Sequence, residues 1–204
     1  MPIKAIYFDL GGVIVRTEDK TLRTELGQRF GMTYDQIDRF VFGCETAKKA
    51  SIGLISEEQH WRDVARRLEQ PESDWQSIAD AFFGGDKIDR DMLAFIESVR
   101  PAIKTGVISN AWNGLRDYMR KNGFLAPFDD VIVSAEVGIV KPDARIYQLA
   151  LDKFGIQPEE AVFVDDMPEN IAACQALGMQ GVQFKTAEQV LADVKQLLVI
   201  GHRS

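Results

Sequence analysis

Cysteine is nearly missing from this sequence: Cys44 and Cys174 are its two, far apart and in no CxxC arrangement. That excludes a disulfide framework and a thiolate zinc-ligand set. Positive charge is also short, with 24 Lys and Arg against 31 Asp and Glu and a net charge of −7. Such a balance argues against non-specific binding to nucleic acid or to an anionic membrane. Phosphorylated substrates are not excluded, because a local cation can reverse the local field. No apolar run approaches membrane-spanning length, and there is no internal repeat, low-complexity segment or linker. The N-terminus, MPIKAIYFD, enters a strand directly and lacks a signal-peptide shape, so the expected setting is reducing and cytoplasmic. What remains is 204 residues, 46% hydrophobic and 27% charged, enough for one domain, or one domain with an insertion, around a real core. Oligomeric state leaves no mark in the sequence.

Apolar patterning divides the chain in two. Lys4 to Asp9 reads as a strand whose near-continuous apolar run, Ala5-Ile6-Tyr7-Phe8, suits burial on both faces. From about Thr21 to Phe83 the signals are helical and no strand stands out. Thr33, Ser56 and Ser73 each begin a capping-box pattern, ending at Gln36, Gln59 and Gln76. Trp61, Val64, Ala65 and Leu68 keep helical spacing, as do Trp75, Ile78, Ala79 and Phe82. Thereafter helices and strands alternate: helix 91–99, strand 105–109, helix 114–121, strand 131–134, helix 144–154, strand 161–164, helix 169–177, strand 181–184 and helix 187–198. Gly155 and Gly178 stand where C′ glycines end helices. Alternation of this kind means a parallel sheet with right-handed crossovers. The expected fold class is therefore α/β: a Rossmann-like core formed by 1–15 and 86–204, with an all-helical cap, 16–85, inserted after the first strand.

Four strand ends carry polar groups. Asp9 ends the first strand and is followed by Gly11 and Gly12 in AIYFDLGGVIV. A carboxylate there sits where parallel α/β sheets bind ligands, and glycines allow tight turns that bring backbone close to a ligand. Ser109 and Asn110, in VISNAW, offer a hydroxyl and an amide. Lys141, in GIVKPDARIY, offers a positive charge just before Pro142, which is read as opening a helix. Asp165 and Asp166, in VFVDDMPEN, form an acidic pair suited to a hard cation such as Mg2+. Phosphoryl transfer through a carboxylate needs a nucleophile in line with phosphorus, a divalent cation against charge repulsion, and donors for the equatorial oxygens. Each requirement has a candidate here. Taken singly, each also has a plainer reading: Asp9 as a solvated strand end, Ser109–Asn110 as a turn and helix cap, Lys141 as a loop lysine, and Asp165–Asp166 as an N-cap pair.

In order and strand-end context, these residues resemble the motifs of the haloacid dehalogenase-like (HAD) superfamily of hydrolases. The resemblance spans essentially the whole chain and is nearest to small sugar-phosphate phosphatases, including those acting on glucose 1-phosphate. It implies that Asp9 is the nucleophile and a metal ligand, forming an aspartyl-phosphate. It implies that the Gly11 carbonyl and Asp166 bind Mg2+ directly, with Asp165 a water-mediated or orienting ligand. Lys141 would link Asp9 to the phosphoryl oxygens, and Gly12, Ser109 and Asn110 would bind phosphate or orient the substrate. Trp112 and Asn113, just past Asn110, are read as pocket-lining, with packing against the cap as the alternative for Trp112. The implied partner is a small phosphorylated metabolite, plausibly a sugar phosphate, with no nucleic acid and no membrane.

One departure matters. The phosphatase pattern of that superfamily has a second aspartate two residues after the nucleophile, as general acid and base; here Gly11 occupies that place. General acid–base help is worth about 10²–10⁴-fold. Glu18 and Asp19 are the nearby acids that could bend back, and water or a good leaving group are other answers. Gly11 also keeps open a catalytically weak binding or regulatory protein. A haloacid dehalogenase ranks lower, because the acidic pair favours a metal. In the cap, Phe42, Cys44, Lys48 and Lys49 lie near an expected substrate-facing turn around Ala50–Ile55. Cys44 is read as a small packing residue, His60 as structural, and His202 as part of a fraying tail.

Overall fold

The computed structural model describes residues 1–201; His202 lies outside the described residues. In chain order the elements are β1 (Ala5–Phe8), β2 (Val15–Thr17), α1 (Thr21–Arg29), α2 (Tyr34–Phe42), α3 (Glu45–Ser51), α4 (Glu57–Arg67), α5 (Trp75–Phe83) and β3 (Asp86–Ile88). They continue with α6 (Arg90–Ser98), β4 (Lys104–Ser109), α7 (Leu115–Lys121), β5 (Asp130–Val133), α8 (Ser134–Val137) and α9 (Ala144–Phe154). The last four are β6 (Ala161–Asp165), α10 (Pro168–Leu177), β7 (Gln180–Gln183) and α11 (Ala187–Gly201).

The five-stranded sheet runs β5-β4-β1-β6-β7, parallel throughout. All four residues of β1 are buried because both faces of the sheet are covered. Successive side chains point to opposite faces, so Ile6 and Phe8 join one core and Ala5 and Tyr7 the other. Helices α6, α7 and α11 cover the first face through Met92, Ile96, Met119, Val190 and Val194. Helices α9 and α10 cover the second through Ile146, Tyr147, Leu151, Ile171 and Cys174. The chain first builds outward from β1 to β4 and β5, then crosses to β6 and β7. That reversal opens the crevice beyond the ends of β1 and β6, where Asp9 and Asp165 emerge.

The five helices α1–α5 form a third core around Trp61, Phe82, Ile37, Val41 and Leu26. The helical spacing of Trp61, Val64, Ala65 and Leu68 becomes a buried face, and the boxes at Thr33 and Ser56 form as expected. The pattern at Ser73 does not. Residues Glu72–Asp74 make a 3-10 turn, Ser73 bonds the Asp74 carboxylate, and α5 starts only at Trp75. Pro142 likewise does not open α9; Asp143 caps that helix, its carboxylate accepting from Arg145 N–H. Ser134 is the first residue of α8 rather than the last of a strand.

An antiparallel ribbon of β2 and β3 connects the helical group to the sheet domain. It had no signal in the sequence. Thr17 Oγ1 donates to Asp86 Oδ1 at 2.5 Å, and the buried Arg23 guanidinium reaches both Asp86 and Asp38. Gly85 is needed where the two connections touch, since a Cβ there would lie 1.7 Å from the Asp19 carbonyl. Among the described residues no helix is long and apolar enough to cross a membrane.

Candidate active site

Parallel pairing sets the site. Phe8 stands opposite Val107 and Val164, and Asp9 N–H donates to Val164 O at 2.8 Å. Asp9 therefore leaves the sheet alongside Asp165. The next turn is tight: Val13, Ile14 and Val15 N–H all reach back to Leu10 O. Gly12 lies at φ +81° with its α-carbon so close to Asp166 that a Cβ would sit 2.6 Å from the carboxylate carbon. A side chain at Gly11, by contrast, would meet nothing within 4 Å.

Lys141 is the hub. Its ammonium donates to Asp9 Oδ1 at 2.9 Å and to Asp165 Oδ2 at 2.6 Å, and its side chain is 1% exposed. Asn110 holds the lysine in place: its Oδ1 accepts from Lys141 N–H at 2.7 Å and its Nδ2 donates to Lys141 O at 2.9 Å. Both ends of the Asn110 amide are thus committed to positioning Lys141. Asp165 is fully buried, and its oxygens accept from Lys141, Asn170 Nδ2 and Met167 N–H. Ser109 is buried at the end of β4, one residue before Asn110. One oxygen each of Asp9, Asp165 and Asp166 falls within a 4.8 Å cluster. Such a donor set is all carboxylate oxygen, as a hard divalent cation prefers.

The electrostatics are those of a crowded acidic site. Burial pushes the Asp9 carboxyl well above the usual carboxylate range; Lys141 pulls it back, and Asp165 raises it further. Asp166 is raised by burial first and by Asp165 second. A bound cation would reverse both effects, because each arises from withholding stabilisation from negative charge.

Asn170 and Ser134 were missed by sequence reading. Asn170 lies on the first turn of α10 and turns its amide back to Asp165; a polar residue at that helical position is the signal that was there to use. Ser134 Oγ accepts from Ala111 N–H and donates to Ala111 O, pinning the loop after β4. Neither acid offered as a substitute for position 11 is free. Glu18 accepts from Arg16, and Asp19 accepts from Thr21 N–H.

Trp112 is 9% exposed and packs into the helical group, its ring 4.5 Å from His60, 5.8 Å from Phe42 and 5.9 Å from Trp61. Asn113 Oδ1 accepts from Glu57 N–H, so both residues tie the loop after β4 to the helical group. Cys44, with no histidine near it in sequence, lies 3.9 Å from His60 Nδ1, and Thr46 Oγ1 lies 3.0 Å from the same nitrogen. The expected turn at 50–55 meets the core where Gly53 abuts the Ala135 carbonyl.

A family model described as haloacid dehalogenase-like hydrolase matches residues 3–178. Over 200 residues, 96% of each chain, the protein is 25% identical to sesquiterpene phosphatase astK of Aspergillus oryzae. It is 38% identical over 71 residues to acyl-CoA dehydrogenase family member 10 of Mus musculus, spanning 35% of this chain but only 7% of that protein's length. Its fold superposes with a TM-score of 0.74 on a HAD family enzyme from Bacteroides thetaiotaomicron, solved in complex with magnesium and inorganic phosphate; identity is 21%, covering 91% of this chain and 96% of that one.

Proposed function

Because this chain belongs to the haloacid dehalogenase-like hydrolase family, we propose that it is a Mg2+-dependent phosphatase acting on a small phosphorylated metabolite through Asp9. The observation that carries the reading is Lys141 joining Asp9 and Asp165, with Asp166 completing a carboxylate cluster at the sheet's switch point. The full-length likeness to a phosphatase and the magnesium and phosphate of the structural relative support it. Residues 16–85 then act as a cap over a core of 1–15 and 86–204.

In this reading an Asp9 oxygen bonds to phosphorus as the ester oxygen leaves with a proton from water. A second water then attacks phosphorus, releasing phosphate and restoring the carboxylate. Lys141 neutralises charge beside the nucleophile, Asn110 fixes Lys141, and Ser109 and the backbone at Gly12 bind the phosphoryl group. Asp165, its oxygens already engaged, takes the orienting role. Asp9, Asp166 and the Gly11 carbonyl would hold Mg2+, which would offset the repulsion between carboxylates and phosphate. The test is turnover of phosphate esters with and without magnesium. Asp9→Asn is expected to lose at least about 10³-fold in kcat, as removal of a nucleophile does; wild-type turnover in that variant would refute the mechanism.

A second reading is favoured by Gly11 and by the engagement of Glu18 and Asp19 elsewhere: a protein that binds phosphate and metal but turns over poorly. Magnesium-dependent thermal stabilisation by a phosphate mimic, with no hydrolysis across a broad ester panel, would select it. The sugar-phosphate expectation rests on resemblance alone; the chemistry of the cap seam points to a different leaving group.

A further inference from the structure

Beside the site, where cap meets core, stands an aromatic wall that the chemistry at Asp9 does not use. Trp112 comes three residues after Ser109, on the core loop, yet its ring packs among cap residues. Phe42, at the end of α2, contacts Trp112, Phe82 and Phe83 with centroids 5.8, 5.3 and 6.3 Å apart, and still leaves 45% of its surface exposed. A phenylalanine this open, in a cluster this large, presents a ready apolar face.

Few polar groups around the wall are open to a ligand: the unpartnered Trp61 Nε1 is buried, and Asn113 keeps only its Nδ2. Both ends of the Asn110 amide bind Lys141, and Asn113 binds the backbone of Glu57. Thr46 Oγ1 donates to Asp63 at 3.0 Å and pairs with His60 Nδ1. His60 Nε2 lacks a partner but is fully buried. A polyhydroxyl leaving group laid against this wall would lose water and find at most the Asn113 amide in return, a loss of roughly 5- to 150-fold in binding per hydroxyl left unpaired. An alkyl group loses nothing polar and gains from burial. We infer that the substrate is a phosphomonoester of an apolar alcohol, its hydrocarbon chain laid on the open face of Phe42, which the buried Trp112 backs. This inference rests on the phosphatase reading and names the class of leaving group that reading leaves open.

The experiment compares kcat/KM for n-hexyl phosphate, ethyl phosphate and glucose 6-phosphate in the presence of magnesium. All three release a primary alcohol, so differences report on binding of the leaving group rather than on its chemistry. Hexyl phosphate is expected to exceed both others by about tenfold or more, as four further buried methylenes readily supply. In Phe42→Ala the hexyl-to-ethyl ratio is expected to fall about tenfold, with partial rescue in Phe42→Leu. Phe42 is exposed enough for both variants to fold, which thermal unfolding verifies. A preference for glucose 6-phosphate, or an unchanged ratio in folded Phe42→Ala, overturns the inference alone. Hydrolysis of none of the three overturns this inference, and the phosphatase reading falls with it when the broad ester panel is inert as well.

Discussion

At the scale of single residues, the two glycines after Asp9 are not equivalent. Gly12 combines a left-handed φ of +81° with van der Waals contact against Asp166, whereas Gly11 has open space where a side chain would project. Gly12→Ala must therefore both strain the backbone and displace a carboxylate of the cation cluster. Its expected cost is about 1–3 kcal/mol of stability, together with weakened magnesium binding. Gly11→Ala should be neutral or stabilising by up to about 1 kcal/mol. Urea unfolding of both variants checks the contrast; equal effects would show that the turn does not depend on this geometry. The same scale shows how much of the site was legible. Asp9, Asp165 and Asp166 stand at strand ends, where a local pattern marks them; Lys141 does not, since α8 separates it from β5 and it lies in the loop before α9. The structure still brings the four together. Asn110 was marked too, but its engagement with Lys141 spans 31 residues and has no local signature. Ser134 escaped notice for the same reason, bonding a loop 23 residues away.

At the scale of elements, long amphipathic helices were readable and short elements were not. Helix α4 shows its buried face through four spaced residues, but β2 and β3, of three residues each, are too short for any period to show. The Ser73 pattern failed because a box needs a helix to begin beside it, and the 3-10 turn took those residues first. Helix α4 also carries His60, whose burial and neutral pairing with Thr46 tie α3 to α4. Thr46 donates to Asp63, so it must accept from His60 Nδ1–H, while the buried Nε2 meets no acceptor for a second proton, which keeps the imidazole neutral. Burial lowers the His60 pKa from 6.5 to about 4, with Asp63 opposing and Arg67 reinforcing. Between these values the unfolded chain binds the proton and the folded one does not, so stability falls as pH drops through 6.5 toward 4. The expected loss from pH 7 to pH 5 is about 2 kcal/mol. His60→Gln keeps a donor for Thr46 without titrating, so urea unfolding should show a flatter pH slope in the variant. Subtracting the two profiles cancels the opposite contribution of Asp9, and parallel profiles would rule out His60 as the source.

At the scale of the whole molecule, alternation of strands and helices implied a parallel sheet, yet not the order β5-β4-β1-β6-β7. That order depends on which strands meet across long separations, and it decides which strand ends share a crevice. It also concentrates charge. A chain of net charge −7 places Asp9, Asp165 and Asp166 around one buried ammonium, so the folded state carries local repulsion that a divalent cation would relieve. Magnesium binding only the folded chain, at about 100 times its Kd, stabilises by about 2.7 kcal/mol. For a protein of this size that corresponds to a rise in Tm of about 5–10 °C. The rise should vanish with EDTA and should not be reproduced by sodium chloride at equal ionic strength. Asp166→Asn gives the sharper check, because two signs separate. Without metal the variant should unfold at or above the wild-type temperature, since a raised, repelled carboxyl has been made neutral. With magnesium it should gain far less than the wild type. A wild-type magnesium shift retained in Asp166→Asn would mean that the cation binds elsewhere, and the acidic pair would then be a helix cap rather than half of a metal centre.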